Sequence, residues 1–319
     1  MLKSFIQSLT YFQLSTKLSN STMDYSAADF LERGLKLCGF SDKTIARNGD
    51  SINLARFTDK YYVTPSTCEE IFNDIKEAAD EDEHDVDVNP DYLLLALYYL
   101  KKYPTKHDMA GYLDCSEATA LKKSKEYVKL IQMLLPKKIR WIFDDDTEES
   151  FDEVYLVSVD GVHCRIWEPR CQPSTGWYSK KFNKAALAYE IGIAIHHNQV
   201  VWVRGPLPAG SNDWKIFKEE GLMDKIPEGK LAVGDDGYKY DPKKVATRNQ
   251  FDTKPVKRFK ERAKARHESF NSRLKTFGIL SQPFRSTGES RLEKHKAAFE
   301  ACCVLAQYEM NNGRPLFKI

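Results

Sequence analysis

Apolar residues in the first half of the chain recur at the three- and four-residue spacing of buried helix faces; after residue 153 they change to short continuous runs. From Asp24 to about Asp80 the spacing predicts short helices, one of them opened by Thr64-Pro65-Ser66-Thr67 and running through Ile71 and Ile75. Asn89-Pro90 opens a helix carrying Leu94, Leu97, Tyr98 and Leu100, and Thr105-Lys106-His107-Asp108 has the capping-box form before Met109, Ala110 and Leu113. After the turn Asp114-Cys115-Ser116, Ser116 caps a third helix through Leu135. Helix, helix, tight turn, helix is the helix-turn-helix plan. On that plan Ala118, Leu121 and Val128 pack inward, while some of Glu117, Thr119, Lys122, Lys123 and Lys125 face a groove of DNA. A three-helix packing or dimerisation unit that never touches DNA has the same pattern.

Beyond an acidic stretch at 144–153, the runs read as strands. Val154 to Trp167 forms one strand or a hairpin, Ala185 to His196 another, and Val200 to Arg204 a third, the last two joined at His197-Asn198-Gln199. The loop 205–212 follows, Asp213 caps a short helix from Trp214 to Glu220, and Lys230 to Gly234 is a fourth strand. Three meandering strands, a crossover helix and a fourth strand parallel to the first make an α/β layered sheet with Asp160 and Asp235 at neighbouring strand ends, where ligands collect. Helices at 256–276 and 292–311 cover its faces. The expected division is an N-terminal tail and helical segment with an acidic hinge (1–88), an all-α helix-turn-helix domain (89–150) and an α/β domain (151–319).

Charge is segregated along the chain. The formal balance is only +2 over 319 residues, yet Glu69 to Asp87 holds ten acids and Asp144 to Glu153 seven. Lys243 to Lys275 holds twelve Lys or Arg against three acids, a local +9. A solvated face is the ordinary meaning of a charge run, but this one surrounds Glu268 and so points to a polyanionic partner. Seven scattered cysteines without a C-x-x-C pair argue against a zinc ribbon or a disulfide scaffold. No apolar run is long enough to span a bilayer. Residues 1–23, with two lysines and no arginine, lack a cleavage-like site and read as a frayed tail or an upstream start codon rather than a targeting peptide.

The candidate chemistry rests on Asp160, Asp235 and Glu268. Carboxylates at the ends of buried strands repel one another in low dielectric unless cations neutralise them. Two Mg²⁺ (or Mn²⁺) ions are the natural counterweight in phosphodiester chemistry, with Asp160 bridging them and Asp235 and Glu268 each completing one. Two central strands and a downstream helix that supply such a trio have the arrangement of the RNase H-like fold. Asp213 is a further, lesser ligand candidate, since its place ahead of Trp214 suits a helix cap, and Asp236 could stand in for Asp235 by a one-residue shift. His163, Cys164 and Cys171 lack a fourth ligand at usable spacing. Basic residues along 254–275, among them Arg262, Lys264 and Arg266, would neutralise phosphates, as would Lys275, which shares a helix face with Glu268. Trp167, Trp177 and Tyr178 could stack on frayed bases or simply pack.

Four motifs in order, Val159-Asp160-Gly161-Val162-His163, Gly205-Pro206 with Ala209-Gly210-Ser211-Asn212-Asp213, Gly234-Asp235-Asp236-Gly237-Tyr238, and Arg266-His267-Glu268 with Asn271 to Lys275, together resemble DDE transposases of the PIF/Harbinger type, relatives of the insertion-sequence enzymes. The resemblance runs from about Tyr92 to Phe317. It implies Asp160, Asp235 and Glu268 as first, second and third metal ligands. Of the insertion-sequence signature Y-x2-R-x3-E-x6-K the chain keeps Glu268 and Lys275, with Lys264 at the Arg position and Glu261 in place of Tyr. The resemblance further implies cleavage of transposon ends with transfer of the 3′-hydroxyl to target DNA, a Myb-like accessory protein, self-association and a nuclear location. A domesticated, non-catalytic DNA-binding or scaffold protein is the alternative, and a nuclease of the same fold acting on structured nucleic acid a third reading.

Overall fold

The computed structural model describes residues 24–81, 88–143, 154–169, 174–286, 288 and 290–319. The acidic hinge expected at 81–88 and the acidic stretch 144–153 lie largely outside these residues, as do residues 1–23, Arg170 and Cys171.

Among the described residues eight helices come first: α1 (Ala27–Leu37), α2 (Asp42–Arg47), α3 (Asp50–Tyr61), α4 (Pro65–Glu81), α5 (Pro90–Lys102), α6 (Lys106–Leu113), α7 (Glu117–Met133) and the short α8 (Leu135–Lys138). Their starts follow from local chemistry. Asn89 accepts from the Asp91 amide with Pro90 in the first turn, Thr105 and Asp108 form a reciprocal capping box, and Ser116 accepts from Thr119 N. On α7 the buried stripe is Ala120, Ser124, Tyr127, Val128 and Ile131. The expected inward residue Ala118 is exposed instead. The stripe falls at intervals of three and four from Ala120, a phase that leaves Ala118 on the outer face.

The second half is a mixed α/β layer with a mixed sheet flanked by helices. Its elements are β1 (Tyr155–Arg165), β2 (Tyr178–Ser179), β3 (Lys184–Ala194), β4 (Val200–Pro208), α9 (Asp213–Glu219), α10 (Leu222–Lys225), β5 (Leu231–Val233), β6 (Val245–Ala246), α11 (Lys254–Lys275), α12 (Gly278–Ser281) and α13 (Arg291–Asn311). The strand order is β2-β3-β1-β5-β6, with β4 on β3. β1, β3 and β4 meander antiparallel, whereas β5 lies parallel to β1. Val154 to Trp167 is therefore one strand and no hairpin, and β4 continues through Pro208 where a loop was expected. Asp160 is the sixth residue of an eleven-residue strand rather than its end.

Helix α13 is buried all round from Ala297 to Met310, the mark of a helix enclosed on every side. Tyr189 of β3 stacks on its Phe299 at 3.6 Å, and Gln132 of α7 donates to its Glu300 at 2.6 Å. One continuous set of buried side chains thus runs from Phe30 and Leu94 through α13 to Ile191 and Val203.

The basic helix α11 is less uniformly exposed than its sequence suggests. Arg266 is 3% exposed and donates to the carbonyls of Phe317, Ala194 and His197, tying α11 to the β3–β4 turn and the C-terminal tail. Its expected role at a phosphate is corrected accordingly, because its guanidinium is already committed to backbone. Arg262 is exposed but donates to the Lys318 carbonyl, and Lys260 is buried against Asp252 at 2.9 Å. Replacing Arg266 with Ala strands three carbonyls, and urea unfolding should show a loss on the order of 2–4 kcal/mol. A variant of unchanged stability would contradict this anchoring role.

Candidate active site

The parallel ladder of β1 and β5 last pairs Ser158 with Val233. Asp160 and Asp235 both lie two residues beyond that pair, side by side at the carboxyl end of the ladder. Asp160 stays in the extended β1 because β3 continues to pair it, opposite Ile191. Asp235 leaves the sheet instead, starting a short 3₁₀ turn (Asp236–Tyr238) in which its Oδ1 accepts from Gly237 N at 2.8 Å. Asp236, the possible substitute, is exposed on the turn.

Glu268 reaches the same place from α11, whose rotation is fixed by two hydrogen bonds to β1. His267 Nδ1 pairs with Ser158 Oγ at 3.0 Å, and Asn271 Nδ2 donates to Asp160 Oδ2 at 2.8 Å. Four residues of helix rise about 6 Å and two residues of strand about 6.6 Å, so 267 and 271 can meet 158 and 160 in register. Asp160 Oδ1 in turn accepts from Gly161 N at 2.8 Å. A cavity of about 170 Å³ results, lined by Asp160, Asp235, Glu268, His267, Lys181 and Lys264 among others. All three acids singled out from sequence therefore border one cavity. Among the described residues no three His, Cys, Asp or Glu side chains are already drawn together as a metal-holding group.

Asp213 belongs to this site more closely than its sequence position suggests. The cap of α9 is Asn212, whose side chain accepts from Trp214 N at 2.8 Å; Asp213 is the first helical residue, which corrects its expected capping role. Its carboxylate is wedged between two glycines. A Cβ on Gly161 would stand 2.7 Å from Asp213 Oδ1, and one on Gly237 2.9 Å from both Asp213 Oδ2 and Asp235 Oδ1. A side chain at either position would have to displace a carboxylate of the site. Burial raises the Asp213 pKa, Lys181 opposes the rise, and the charges of Asp235 and Asp160 add to it.

Three residues of the site were not anticipated. Lys181, in the turn between β2 and β3, donates to the Gly161 carbonyl at 3.0 Å and brings a cation among the acids. Asn271 carries the Asp160 carboxylate but leaves its own Oδ1 buried without a partner, and His267 Nε2 is buried and likewise unpartnered. Burial holds the His267 pKa down at about 4, so the ring is neutral at pH 7. A helical i, i+4 pair flanking Glu268 was the available sequence signal. Beneath the site, Glu190 of β3 is 1% exposed, paired across the sheet with Gly161, and accepts from Trp202 Nε1 at 3.1 Å and Tyr238 OH at 3.5 Å. Its signal was a lone acid within an apolar strand.

Of the cations expected at phosphates, Lys264 lines the cavity, whereas Lys275 is exposed two turns on, outside that lining. Lys122 and Lys123, on α7, both pair with Glu126, at 3.8 and 3.0 Å. His163 is half-buried with Nδ1 2.7 Å from Ser179 Oγ, and Cys164 is buried; neither lines the cavity. Trp167 and Tyr178 are exposed.

Residues 159–307 match the family model described as DDE superfamily endonuclease. The match opens one residue before Asp160 and takes in Asp213, Asp235 and Glu268. This part of the chain is thus similar to a class of nucleases, and a nuclease or transposase type of function on DNA is what that similarity supports. No curated protein matches the chain.

Burial pushes the Glu190 pKa up to about 8, from an ordinary value of 4.5. Because the folded state then holds the proton more tightly than the unfolded chain, stability should fall as pH rises from about 4.5 to about 8 and level off above. Glu190→Gln should flatten that slope in chemical denaturation and gain a few kcal/mol relative to wild type at pH 8.5. Equal slopes in the two proteins would show that folding leaves the Glu190 carboxyl unshifted and would contradict this account.

Proposed function

We propose that the chain is a DNA endonuclease of the transposase type that cleaves at the ends of a mobile element and directs the freed 3′-hydroxyl at target DNA. The observation that carries this reading is the single cavity bordered by Asp160, Asp235 and Glu268, inside the stretch similar to DDE superfamily endonucleases. Its donors suit Mg²⁺ or Mn²⁺. They are mostly carboxylate oxygens, the hard ligands these ions take, and the orphaned Asn271 Oδ1 is a further oxygen beside Asp160. Asp160, Asp235 and Glu268 would hold two such ions, with Asp213 as a fourth acid. When bound, these ions activate the attacking oxygen and stabilise the leaving one.

The chain's own side chains do the remaining work. Asn271 holds Asp160 in one rotamer, so that no ordering is required when a ligand arrives. Lys264 and Lys181 place positive charge at the cavity for a phosphate. Neutral His267 fixes the helix that carries Glu268 without adding charge. In this reading the strand and helix arrangement is RNase H-like, α5 to α7 form a helix-turn-helix unit, and the enzyme is of the PIF/Harbinger type. Such an enzyme works in the nucleus, self-associates to join two ends, and uses a Myb-like accessory protein.

Purified chain should nick a duplex carrying the element's terminal repeat only with Mg²⁺ or Mn²⁺ present. Asp160→Asn should lower the rate at least about 10³-fold while leaving the fold intact, as expected when charge stabilisation at the reacting phosphate is lost. Undiminished nicking by that variant would reject the assignment; DNA binding without any cleavage by the wild type would favour the scaffold alternative.

A further inference from the structure

A second basic feature lies away from the carboxylate cavity, in a groove of about 500 Å³ between α7 and α13. Five lysines line it, Lys122, Lys125 and Lys129 from α7 and Lys294 and Lys296 from α13, against two glutamates, Glu126 and Glu293. The lysines differ in what they already hold. Lys122 pairs with Glu126 and Lys296 with Glu300, each at 3.8 Å, whereas no ion pair involves Lys125, Lys129 or Lys294 among the described residues. Lys125 is half-buried, and its pKa is lowered by burial and then by the charge of Lys294. Two cations from different helices thus line one groove, neither held in an ion pair among the described residues, an arrangement that favours an incoming negative charge.

We propose that the α7–α13 groove binds the sugar–phosphate backbone of duplex DNA, with Lys125, Lys129 and Lys294 as the phosphate contacts. This rests on the endonuclease reading and adds to it a course for the DNA outside the cleavage site. The spacing favours a repeating polyanion over a compact one. Lys125 to Lys129 spans about 6 Å of helix, a length over which one strand of duplex DNA presents about two phosphates, and Lys294 adds a third cation from α13. The groove joins a helix before the sheet to one inside the stretch similar to the endonucleases, so DNA bound there would be held by both parts of the chain at once. Lys123, tied to Glu126 and set against the Tyr92 ring, stands outside it.

The test is fluorescence anisotropy of the full chain with a labelled duplex of about 30 base pairs, titrated across roughly 50–200 mM salt. Lys125→Gln/Lys129→Gln/Lys294→Gln should reduce the log-log salt slope by roughly 2–3, at about 0.9 per phosphate, and weaken binding at least about tenfold. A Lys36→Gln control, on α1 and already paired with Glu32 at 2.6 Å, should leave the slope unchanged. Should the triple variant fold poorly, exposed Lys129→Gln alone should remove about 0.9. An unchanged slope in a variant that still nicks DNA would overturn the groove and leave the endonuclease standing, whereas a wild type that binds no duplex at any salt would sink both. Competition by poly-glutamate as strong as by DNA would also overturn the proposal, by making the groove a general acid-binding surface.

Discussion

Like charge held at close quarters is the constraint around which the α/β half is built. Asp213 sits against Gly161 and Gly237 so tightly that a methyl group at either position would strike its oxygens, and each glycine adjoins another acid of the site. Burying carboxylates in this way costs stability unless something compensates. Part of the compensation is visible: Asn271 and Gly161 N serve Asp160, Gly237 N serves Asp235, and Lys181 lies within reach of Asp213's field. In the proposed reading a cation from outside supplies the rest, and the unpartnered Asn271 oxygen is a further donor beside Asp160.

Helix α11 converts that sheet edge into a cavity. Its two contacts with β1, His267 on Ser158 and Asn271 on Asp160, fix both its height and its rotation, and Arg266 locks it to the β3–β4 turn from the other side. Glu268 is thereby held at the rim by neighbours that are themselves uncharged or spent on backbone. The helix therefore divides its basic residues between two tasks. Arg266 and Lys260 are structural, and Lys264 is left facing the cavity.

Much of this was legible in the sequence where local chemistry decides. The caps at Asn89, Thr105 and Ser116, the meander of three strands and the parallel fourth strand all follow from side-chain type and periodicity. The meeting of Asp160, Asp235 and Glu268 on one cavity could be anticipated from two acids that follow apolar runs and one in a basic helix, although Asp160 lies within its strand and not at its end. What could not be read was direction. Asn and Asp are equally good caps, so Asn212-Asp213 did not reveal which residue would cap and which would turn inward. Arg266 looks like its exposed neighbours in a basic run, and only the helix phase set by His267 and Asn271 buries it. Glu190 reads as a strand residue of either face until pairing with Gly161 places it under the site.

The central claim is that these acids form a divalent-cation site, and Mn²⁺ binding followed by electron paramagnetic resonance on the DNA-free protein tests it without reference to cleavage. The account predicts saturable loss of the free Mn²⁺ signal, competed by Mg²⁺ and strongly weakened in Asp160→Asn and Asp235→Asn. Absence of saturable binding in the wild type, or binding indifferent to both substitutions, would contradict it.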